Sequence, residues 1–291
     1  MTTLGLTISG ALATIACMPH IAGLPALTDN YIWLIFDGTP RPPTGELSIE
    51  AQVRQVGATH CAVVDPGDAS PVLALLEATG LELAGLLITH RHPDHVGGIA
   101  ALTAHWPCPV FGPAGERIAG ITHPVRDGDH VALGPGLGEW EVMDVPGHTE
   151  GHVAYLSKEI LFCGDSLFAA GCGRLLGGSA SQLYASLEKI ARLPTTTNIY
   201  CAHEYTLANL AFAREVDPDN ADLARRWTTC RKRRCAGLPT IPFTLAEELA
   251  TNPFLRCAQR AVRDAVTRRS GRSLSAPDQI FAELRRWKDN F

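Results

Sequence analysis

The segment Thr89-His90-Arg91-His92-Pro93-Asp94-His95-Val96-Gly97-Gly98 holds the densest group of metal-ligating side chains in the sequence. It directly follows an apolar run that predicts a strand. Imidazole and carboxylate are the ligands that suit zinc and similar first-row divalent metals. In an extended turn His90 and His92 point the same way, whereas Asp94 redirects the chain and His95 follows at once. One such turn can supply two neighbouring metal positions, and a His-rich surface turn without a metal is the alternative.

Three other apolar runs also end beside a His or an Asp. They lead into Pro146-Gly147-His148-Thr149, Cys163-Gly164-Asp165 and Ala202-His203-Glu204-Tyr205. Ligand sites in open α/β sheets lie at the carboxyl ends of strands. Seven ligands are too many for one tetrahedral ion and suit two ions that share a bridging carboxylate. The seven candidate ligands are His90, His92, Asp94, His95, His148, Asp165 and His203.

The remaining histidines lack a strand-end setting flanked by glycine. Surface or packing roles are therefore expected for His20, His60, His105, His123 and His130. His152 lies four residues beyond His148. It suits a structural role better than a hydrogen bond to a metal ligand, the alternative for this residue.

Composition describes a globular chain of 291 residues, 46% apolar and 19% charged. No apolar stretch approaches the length of about 18 residues that a membrane span needs. Glycine and proline are too few for a low-complexity or collagen-like chain. These numbers exclude disorder, a coiled coil and a transmembrane protein, and leave one large domain or a main domain with an appendage.

Short strands and helices alternate up to about residue 203, and only helices are expected afterwards. The expected strands are Tyr31–Phe36, Cys61–Val64, Ala84–Ile88, Glu141–Val145, Ile160–Phe162 and Asn198–Cys201. The expected late helices are Thr206–Val216, Asp222–Cys235, Thr244–Ala250, Leu255–Arg269 and Gln279–Lys288. The chain therefore divides into an extension of uncertain role (1–21), an α/β domain (22–203) and a helical domain (204–291).

Charge is divided unevenly between these parts. Residues 221–291 hold 15 Lys or Arg and 7 Asp or Glu, a net charge of +8, against −13 for residues 1–220. The basic part suggests an anionic partner, and solvated helix faces are the plainer alternative. The nine cysteines are odd in number and form no CxxC pair, which favours free thiols in a reducing compartment, the cytoplasm, over a disulfide framework.

The HxHxDH segment with the later His, Asp and His resembles the metal site of the metallo-β-lactamase superfamily. The resemblance narrows to the hydroxyacylglutathione hydrolase (glyoxalase II) family and runs from about residue 22 to the end. It includes the helical domain, which most relatives in the superfamily lack. The motifs that carry it include Leu24–Tyr31, Val64–Asp68, Phe162–Phe168, Gly171–Arg174, Ala202–Leu210, Asn252–Arg256 and Arg285–Asp289.

The resemblance implies an αββα sandwich with a C-terminal helical domain and two divalent metal ions, zinc first with iron or manganese as alternatives. One metal would bind His90, His92 and His148. The other would bind Asp94, His95 and His203, with Asp165 as the bridge. Glutathione would contact Arg174, Tyr205, Arg285 and Lys288. The family aromatic two residues beyond the basic residue is Leu176 here, which removes one expected contact.

The implied reaction is hydrolysis of a glutathione thioester, S-lactoylglutathione, to lactate and glutathione in methylglyoxal detoxification. Two metals would lower the pKa of a bridging water to about 7. The resulting hydroxide, with Asp94 as the catalytic residue next to it, would attack the thioester carbonyl. The expected protein is a monomer that binds neither nucleic acid nor membrane. The alternatives are a persulfide dioxygenase with one iron on His90, His148 and Asp165, another superfamily hydrolase, or a metal-stabilised binding module.

Overall fold

The computed structural model describes residues 18–40 and 47–291. All but the last four residues of the expected extension, 1–21, lie outside the described residues. The six strands of the first half form one sheet in chain order, antiparallel from the first to the third and parallel from the third to the sixth. The elements are β1 (His20–Ala26), β2 (Asn30–Phe36), α1 (Ile49–Val56), β3 (His60–Val64), α2 (Ser70–Thr79), β4 (Glu82–Leu87), α3 (Pro93–Val96), α4 (Ile99–His105), β5 (Val110–Pro113) and β6 (His123–Val125).

The second half begins with the strands of a second sheet and a short hairpin. These elements are β7 (His130–Ala132), β8 (Glu139–Asp144), β9 (Val153–Ser157), β10 (Ile160–Gly164), β11 (Leu167–Phe168), β12 (Gly171–Cys172), α5 (Ala180–Ala191) and β13 (Asn198–Cys201). The helical part follows with α6 (Thr206–Val216), α7 (Ala221–Cys235), β14 (Phe243–Thr244), α8 (Leu245–Thr251), a 3₁₀ turn (Pro253–Leu255), α9 (Arg260–Ser270) and α10 (Pro277–Asp289). The second sheet has the order β7-β8-β9-β10-β13-β14, and β11 pairs with β12 alone.

Strand β2 shows how the layers are built. Its residues alternate between two buried faces, as the two-residue period of a strand requires. Tyr31, Trp33 and Ile35 pack in the core cluster that contains the inner residues of the second sheet. Ile32, Leu34 and Phe36 pack in the cluster that contains buried residues of α1, α2 and α4. Helices therefore cover the outer face of the first sheet, and the two sheets face each other, which confirms the expected αββα sandwich.

The core between the sheets continues into the helical part. Leu187 of α5 belongs to the same buried cluster as Phe254 of the 3₁₀ turn and Phe281 of α10. Phe254 and Phe281 lie with their ring centroids 5.6 Å apart. Residues on both sides of position 203 thus share one hydrophobic core.

Two sequence-based expectations about the helical part are wrong. The helix expected at Leu255–Arg269 begins only at Arg260, because the Asn252 side chain accepts a hydrogen bond from the Phe254 N–H and starts a separate 3₁₀ turn. Strand β14 also interrupts the helices, since it pairs with β13 of the second sheet. The six expected strands correspond to β2, β3, β4, β8, β10 and β13. The other strands before position 203 were not among the expected ones, and they are β1, β5, β6, β7, β9, β11 and β12. All of these except the seven-residue β1 are five residues or shorter.

Candidate metal centre and substrate cavity

The turn after β4 places four of the seven candidate ligands. His92 has extended backbone angles and directly precedes Pro93, the first residue of α3. Proline suits this first helical position because its missing N–H has no intrahelical partner there. Asp94 and His95 therefore lie on the first turn of a helix, whereas His90 and His92 lie on the extended approach to it. This change of backbone conformation gives one segment two sets of ligand directions.

The structure brings all seven candidate ligands together as two adjoining groups. In the first group, His92 Nδ1 lies 3.0 Å from His90 Nε2 and 3.0 Å from His148 Nε2. In the second group, Asp94 Oδ2 lies 3.5 Å from His95 Nε2 and 3.3 Å from His203 Nε2. Each group is compact enough to hold one ion, since its ligand atoms lie within 4.8 Å of one another.

Asp165 joins the two groups through its two carboxylate oxygens. Oδ2 lies 3.4 Å from His148 Nε2, whereas Oδ1 lies 3.5 Å from His95 Nε2 and 3.4 Å from His203 Nε2. Zinc–nitrogen bonds of about 2.0–2.1 Å at the tetrahedral angle separate neighbouring ligand atoms by about 3.3–3.4 Å. The observed separations thus fit ions held between these side chains.

Two buried atoms in the cluster also require a partner. His95 Nε2 and Asp165 Oδ1 have no hydrogen-bond partner among the described residues. Leaving a buried polar atom unpaired costs about 1–3 kcal/mol. Both atoms face the second group of ligands, so a cation held there would satisfy them.

The outward-facing ring nitrogens of three ligand histidines are also bound. His95 Nδ1 contacts Asp65 Oδ2 at 3.0 Å, and Asp65 also accepts hydrogen bonds from the backbone N–H and hydroxyl of Thr89 at 2.8 and 2.7 Å. His203 Nδ1 contacts Asp29 at 2.8 Å, and His148 Nδ1 contacts the Arg174 carbonyl at 2.7 Å. Such contacts fix the orientation and tautomer of a ligand imidazole. The inward nitrogens are therefore aimed before any metal binds.

The loop after β3 meets the ligand turn through backbone atoms. A Cβ atom added at Gly67 would lie 1.9 Å from the Asp94 carbonyl oxygen, and one added at Gly98 would lie 2.6 Å from the Pro66 carbonyl oxygen. Both positions therefore require glycine. These two contacts fix the distance between the loop after β3 and the turn that carries Asp94.

Charges within the cluster shift the pKa values of its members. The imidazoles of His203 and His95, 3.3 and 3.5 Å from its Oδ2, hold the pKa of Asp94 well below its usual range. Burial would lower the pKa of His203, but the nearby carboxylates of Asp165 and Asp94 raise it to about 10. The same carboxylate charge attracts a divalent cation. Because a metal binds the neutral imidazole, the cation must displace that proton, and metal binding is expected to weaken as the pH falls.

A cavity of about 520 Å³ opens on the cluster. Its lining combines metal-ligand candidates with every residue that the sequence predicts to bind glutathione. Tyr205, 38% exposed, stacks on His203 with ring centroids 4.7 Å apart. The cavity lining includes His92, Asp94, His148, Asp165, His203, Arg174, Leu176, Tyr205, Arg285, Lys288 and Phe291.

Comparisons with known proteins agree with this arrangement. The family described as "Hydroxyacylglutathione hydrolase C-terminus" matches residues 204–291, and the "Metallo-beta-lactamase superfamily" matches residues 53–203. Hydroxyacylglutathione hydrolase of Alkalilimnicola ehrlichii is 50% identical over 94% of this chain and 99% of its own length. The chain belongs to the hydroxyacylglutathione hydrolase family. The Nitrosomonas eutropha member is 46% identical over 91% of this chain and 96% of its own length.

Solved structures show the same fold at lower identity. ETHE1 from Myxococcus xanthus matches with a TM-score of 0.58 and 23% identity, over 92% of this chain and 98% of that one. The superfamily implies a binuclear site for divalent metals, and the seven side chains described above fit such a site.

The side chains predicted to contact glutathione differ in how many of their hydrogen-bond donors are already used within the protein. Lys288 Nζ donates to the Ala208 carbonyl at 3.2 Å. Burial, followed by the charges of Arg285 and Arg174, lowers the pKa of Lys288 to about 8. Arg285 is 4% exposed and donates to the Cys172 carbonyl at 3.0 Å and to Asp289 at 3.1 Å. Most of the Arg285 donors are therefore used within the protein, whereas Arg174 is exposed.

The histidines assigned to other roles lie outside the ligand groups. His60, His105, His123 and His130 are exposed, and His20 stacks on Phe36. His152 is fully buried, stacks on His90 and accepts a hydrogen bond from the Asp165 backbone N–H at 3.1 Å. His152 therefore supports the bridging residue directly.

Proposed function

We propose that this protein hydrolyses thioesters between glutathione and 2-hydroxy acids, with S-lactoylglutathione as substrate and lactate and glutathione as products. One observation carries the proposal. A single cavity joins the seven-ligand cluster to a basic wall that contains Arg174, Arg285 and Lys288. The names and coverage of the relatives support the same reaction.

The metal assignment follows the two groups of side chains. We assign His90, His92 and His148 to one ion, Asp94, His95 and His203 to the other, and Asp165 to both. Bound divalent ions supply Lewis acidity, which lowers the pKa of water and polarises a carbonyl group. Nitrogen and carboxylate ligands at these separations suit zinc, and iron and manganese accept the same set.

Asp94 is the residue of the cluster best placed to act on the attacking water. Its side chain is 37% exposed, against 10% for Asp165, and it lines the cavity. The Asn30 side-chain amide donates to Asp94 Oδ2 at 3.0 Å and fixes the direction of the carboxylate. Its carboxylate is ionised at neutral pH, so it can accept a hydrogen bond from the attacking water and orient it, the geometric requirement for a general base. The glutathione thiolate is a fair leaving group, so no strong acid is needed opposite Asp94.

The basic wall would hold the carboxylates of glutathione. Lys288 and Arg285 lie three residues apart on α10, so both side chains can face the same ligand. Charge-assisted hydrogen bonds to carboxylates are the strong ones. Tyr205 stacks on the ligand candidate His203 and lines the same cavity, so its ring can pack against the substrate near the thioester. We accordingly assign residues 22–203 to metal binding and 204–291 to glutathione binding.

Other features support a monomer in a reducing compartment, the cytoplasm. The eight cysteines in the described ranges are free, as expected where thiols stay reduced. The large apolar side chains exposed there are Met18, Leu27, Leu176, Tyr205 and Phe291, and the last three line the cavity rather than a docking surface. No helix in residues 18–40 or 47–291 combines the length and apolar character that a bilayer crossing needs.

The test compares the wild type with Asp94→Asn. Metal analysis should find two ions per wild-type chain, and S-lactoylglutathione should release free thiol rapidly. Asp94→Asn should lower kcat by about 100-fold or more, because a positioned general base contributes about 10²–10⁴-fold. Asp264→Asn is the matched control, since this partly exposed residue of α9 lies outside the cavity lining, and it should leave turnover unchanged.

Three results would contradict the proposal. Full turnover by Asp94→Asn with metal bound would exclude the role of Asp94. One iron per chain with oxygen uptake would indicate a dioxygenase instead. Two metals without thiol release would indicate another hydrolase of the superfamily.

A further inference from the structure

The hairpin of residues 167–172, here called the cavity hairpin, forms part of the substrate cavity. Phe168 and Cys172 line the cavity. The Phe168 ring contacts the Tyr205 ring at 5.2 Å and the His203 ring at 5.8 Å between centroids. The hairpin also leads directly to Arg174. The position of the cavity hairpin therefore determines where Phe168, Cys172 and Arg174 lie in the cavity wall.

The turn of the cavity hairpin has a strained backbone. Ala170 has φ of +54° and is fully buried. The left-handed region is unfavourable for a residue other than glycine, because its Cβ approaches the following carbonyl oxygen. Such a conformation persists only when the surroundings hold it in place. The contacts around the turn must therefore supply that restraint.

Side chains from the helical part form hydrogen bonds with consecutive residues in the backbone of this turn. Glu248 accepts from the Ala170 N–H at 3.0 Å. Asn252 Nδ2 donates to the Gly171 carbonyl at 2.9 Å, and Asn209 Nδ2 donates to the Ala169 carbonyl at 3.1 Å. Backbone atoms of the cavity wall are thus held by α6, α8 and the residue that follows α8.

Glu248 is itself held by a buried ion pair. Its side chain is completely buried, and Arg226 NH2 lies 2.5 Å from its Oε1. Asn252 Nδ2 donates to Oε2 at 2.7 Å, and Arg226 NH1 donates to Thr251 Oγ1 at 2.6 Å. Apolar side chains of similar volume often stabilise a core as well as a buried ion pair does. The Arg226–Glu248 pair is therefore expected to contribute the orientation of the Glu248 carboxylate rather than additional stability.

We propose that Glu248, oriented by Arg226 and Asn252, is a positioning residue for substrate binding that acts through the cavity hairpin. The proposal rests on the proposed function, in which this cavity binds glutathione. The effect should fall on KM rather than kcat. Asp165 lies just before the hairpin, but its backbone is held separately by His152, so the metal ligands should keep their places when the hairpin shifts.

Two double variants test the proposal without leaving a charge unpaired in the core. Arg226→Met with Glu248→Gln keeps an acceptor for the Ala170 N–H, whereas Arg226→Met with Glu248→Met removes it. Because one hydrogen bond contributes about 0.5–1.5 kcal/mol, KM for S-lactoylglutathione should be about threefold to tenfold higher in the Met/Met variant. The values of kcat should agree within about twofold, and amide exchange at Ala170 should be faster in Met/Met.

Asp217→Asn is the control for a general loss of stability. It breaks the Arg256–Asp217 ion pair, 2.9 Å long, in the same helical part. It should lower the Tm without changing KM. Asn252→Ala removes the bond to the Gly171 carbonyl and should raise KM as well, which keeps the proposal testable if the Met/Met variant does not fold.

Equal KM and equal Ala170 exchange in the two double variants would overturn the proposal, as would a fall in kcat at constant KM. Absence of thiol release by the wild type would instead refute the proposed function. In that case the exchange at Ala170 would still decide whether Glu248 holds the hairpin.

Discussion

The metal cluster and the basic wall of the same cavity are built differently. In the cluster, His90, His95 and His203 are buried and three ligand imidazoles are fixed from outside by Asp65, Asp29 and a backbone carbonyl. On the wall, Arg174 and Leu176 are exposed. The cluster is restrained from several directions, whereas parts of the wall are free to change. The chemical step is therefore expected to be sensitive to the contacts behind the ligands, and substrate affinity to the exposed side chains of the wall and to the hairpin that supports them.

The largest expected effect comes from breaking an outer contact of the cluster. Asp65→Asn keeps the shape of the side chain, and asparagine tolerates the positive φ of 51° at this position. Loss of the charge facing His95 and Thr89 should lower metal affinity or activity by about 10–100-fold. Metal titration against a competing chelator measures the affinity.

Asp68→Asn is the control for this change, because Asp68 accepts a hydrogen bond from the Ser70 N–H at 2.9 Å and does not line the cavity. Unchanged metal affinity and turnover in Asp65→Asn would show that the cluster does not depend on this support.

A smaller effect is expected from the titration of Lys288 on the wall. Burial and the neighbouring Arg285 and Arg174 lower its pKa to about 8. The ammonium that attracts a carboxylate is present below this pH and is lost above it. KM should therefore rise by up to about tenfold between pH 7 and 9, since the protonated fraction falls by about that factor.

Lys288→Arg is the control variant for this measurement, because a guanidinium stays protonated from pH 7 to pH 9. The ratio of KM values at pH 9 and pH 7 should approach one in the variant. The same ratio in wild type and variant would place the pH dependence elsewhere.

The smallest effect is expected at Leu176, where the family resemblance predicts an aromatic residue. Leu176 is 50% exposed on the cavity wall, so a larger ring has room. Leu176→Tyr should lower KM by about twofold to fivefold, because a ring contact at this half-exposed position should contribute about 0.5–1 kcal/mol, the lower part of the range for aromatic contacts. Leu176→Ala serves as the comparison. A higher KM in Leu176→Tyr would show that the cavity is already closed at this point.

The candidate metal ligands could be grouped from the sequence because they lie within a few residues after the ends of four apolar runs, a pattern that is visible locally. The roles of Asp65 and Asn30 could not be predicted, since their partners lie 30 and 64 residues away and no periodicity connects them. Glu248 was missed although a local pattern was present. Leu245, Glu248 and Thr251 are the buried residues of α8, a spacing of three that places the carboxylate on the apolar face.

The predicted boundaries of helices and strands were wrong where a side-chain cap or a distant strand pairing decides the local structure. Nothing in the composition of Leu255–Arg269 separates its first residues from a helix, and only the contact of Asn252 with the Phe254 N–H ends the pattern there. Strand β14 was missed because it is two residues long and exists through pairing with β13. Both errors concern interactions that tertiary structure creates.

Gly67 touches the Asp94 carbonyl with no side chain in between, and this contact limits how the protein can be redesigned. A library intended to widen the range of accepted thioesters can vary positions 174 and 176 at the rim of the cavity. Any replacement at position 67 must displace the helical turn that carries Asp94, so substitutions there are expected to lower activity rather than to alter selectivity.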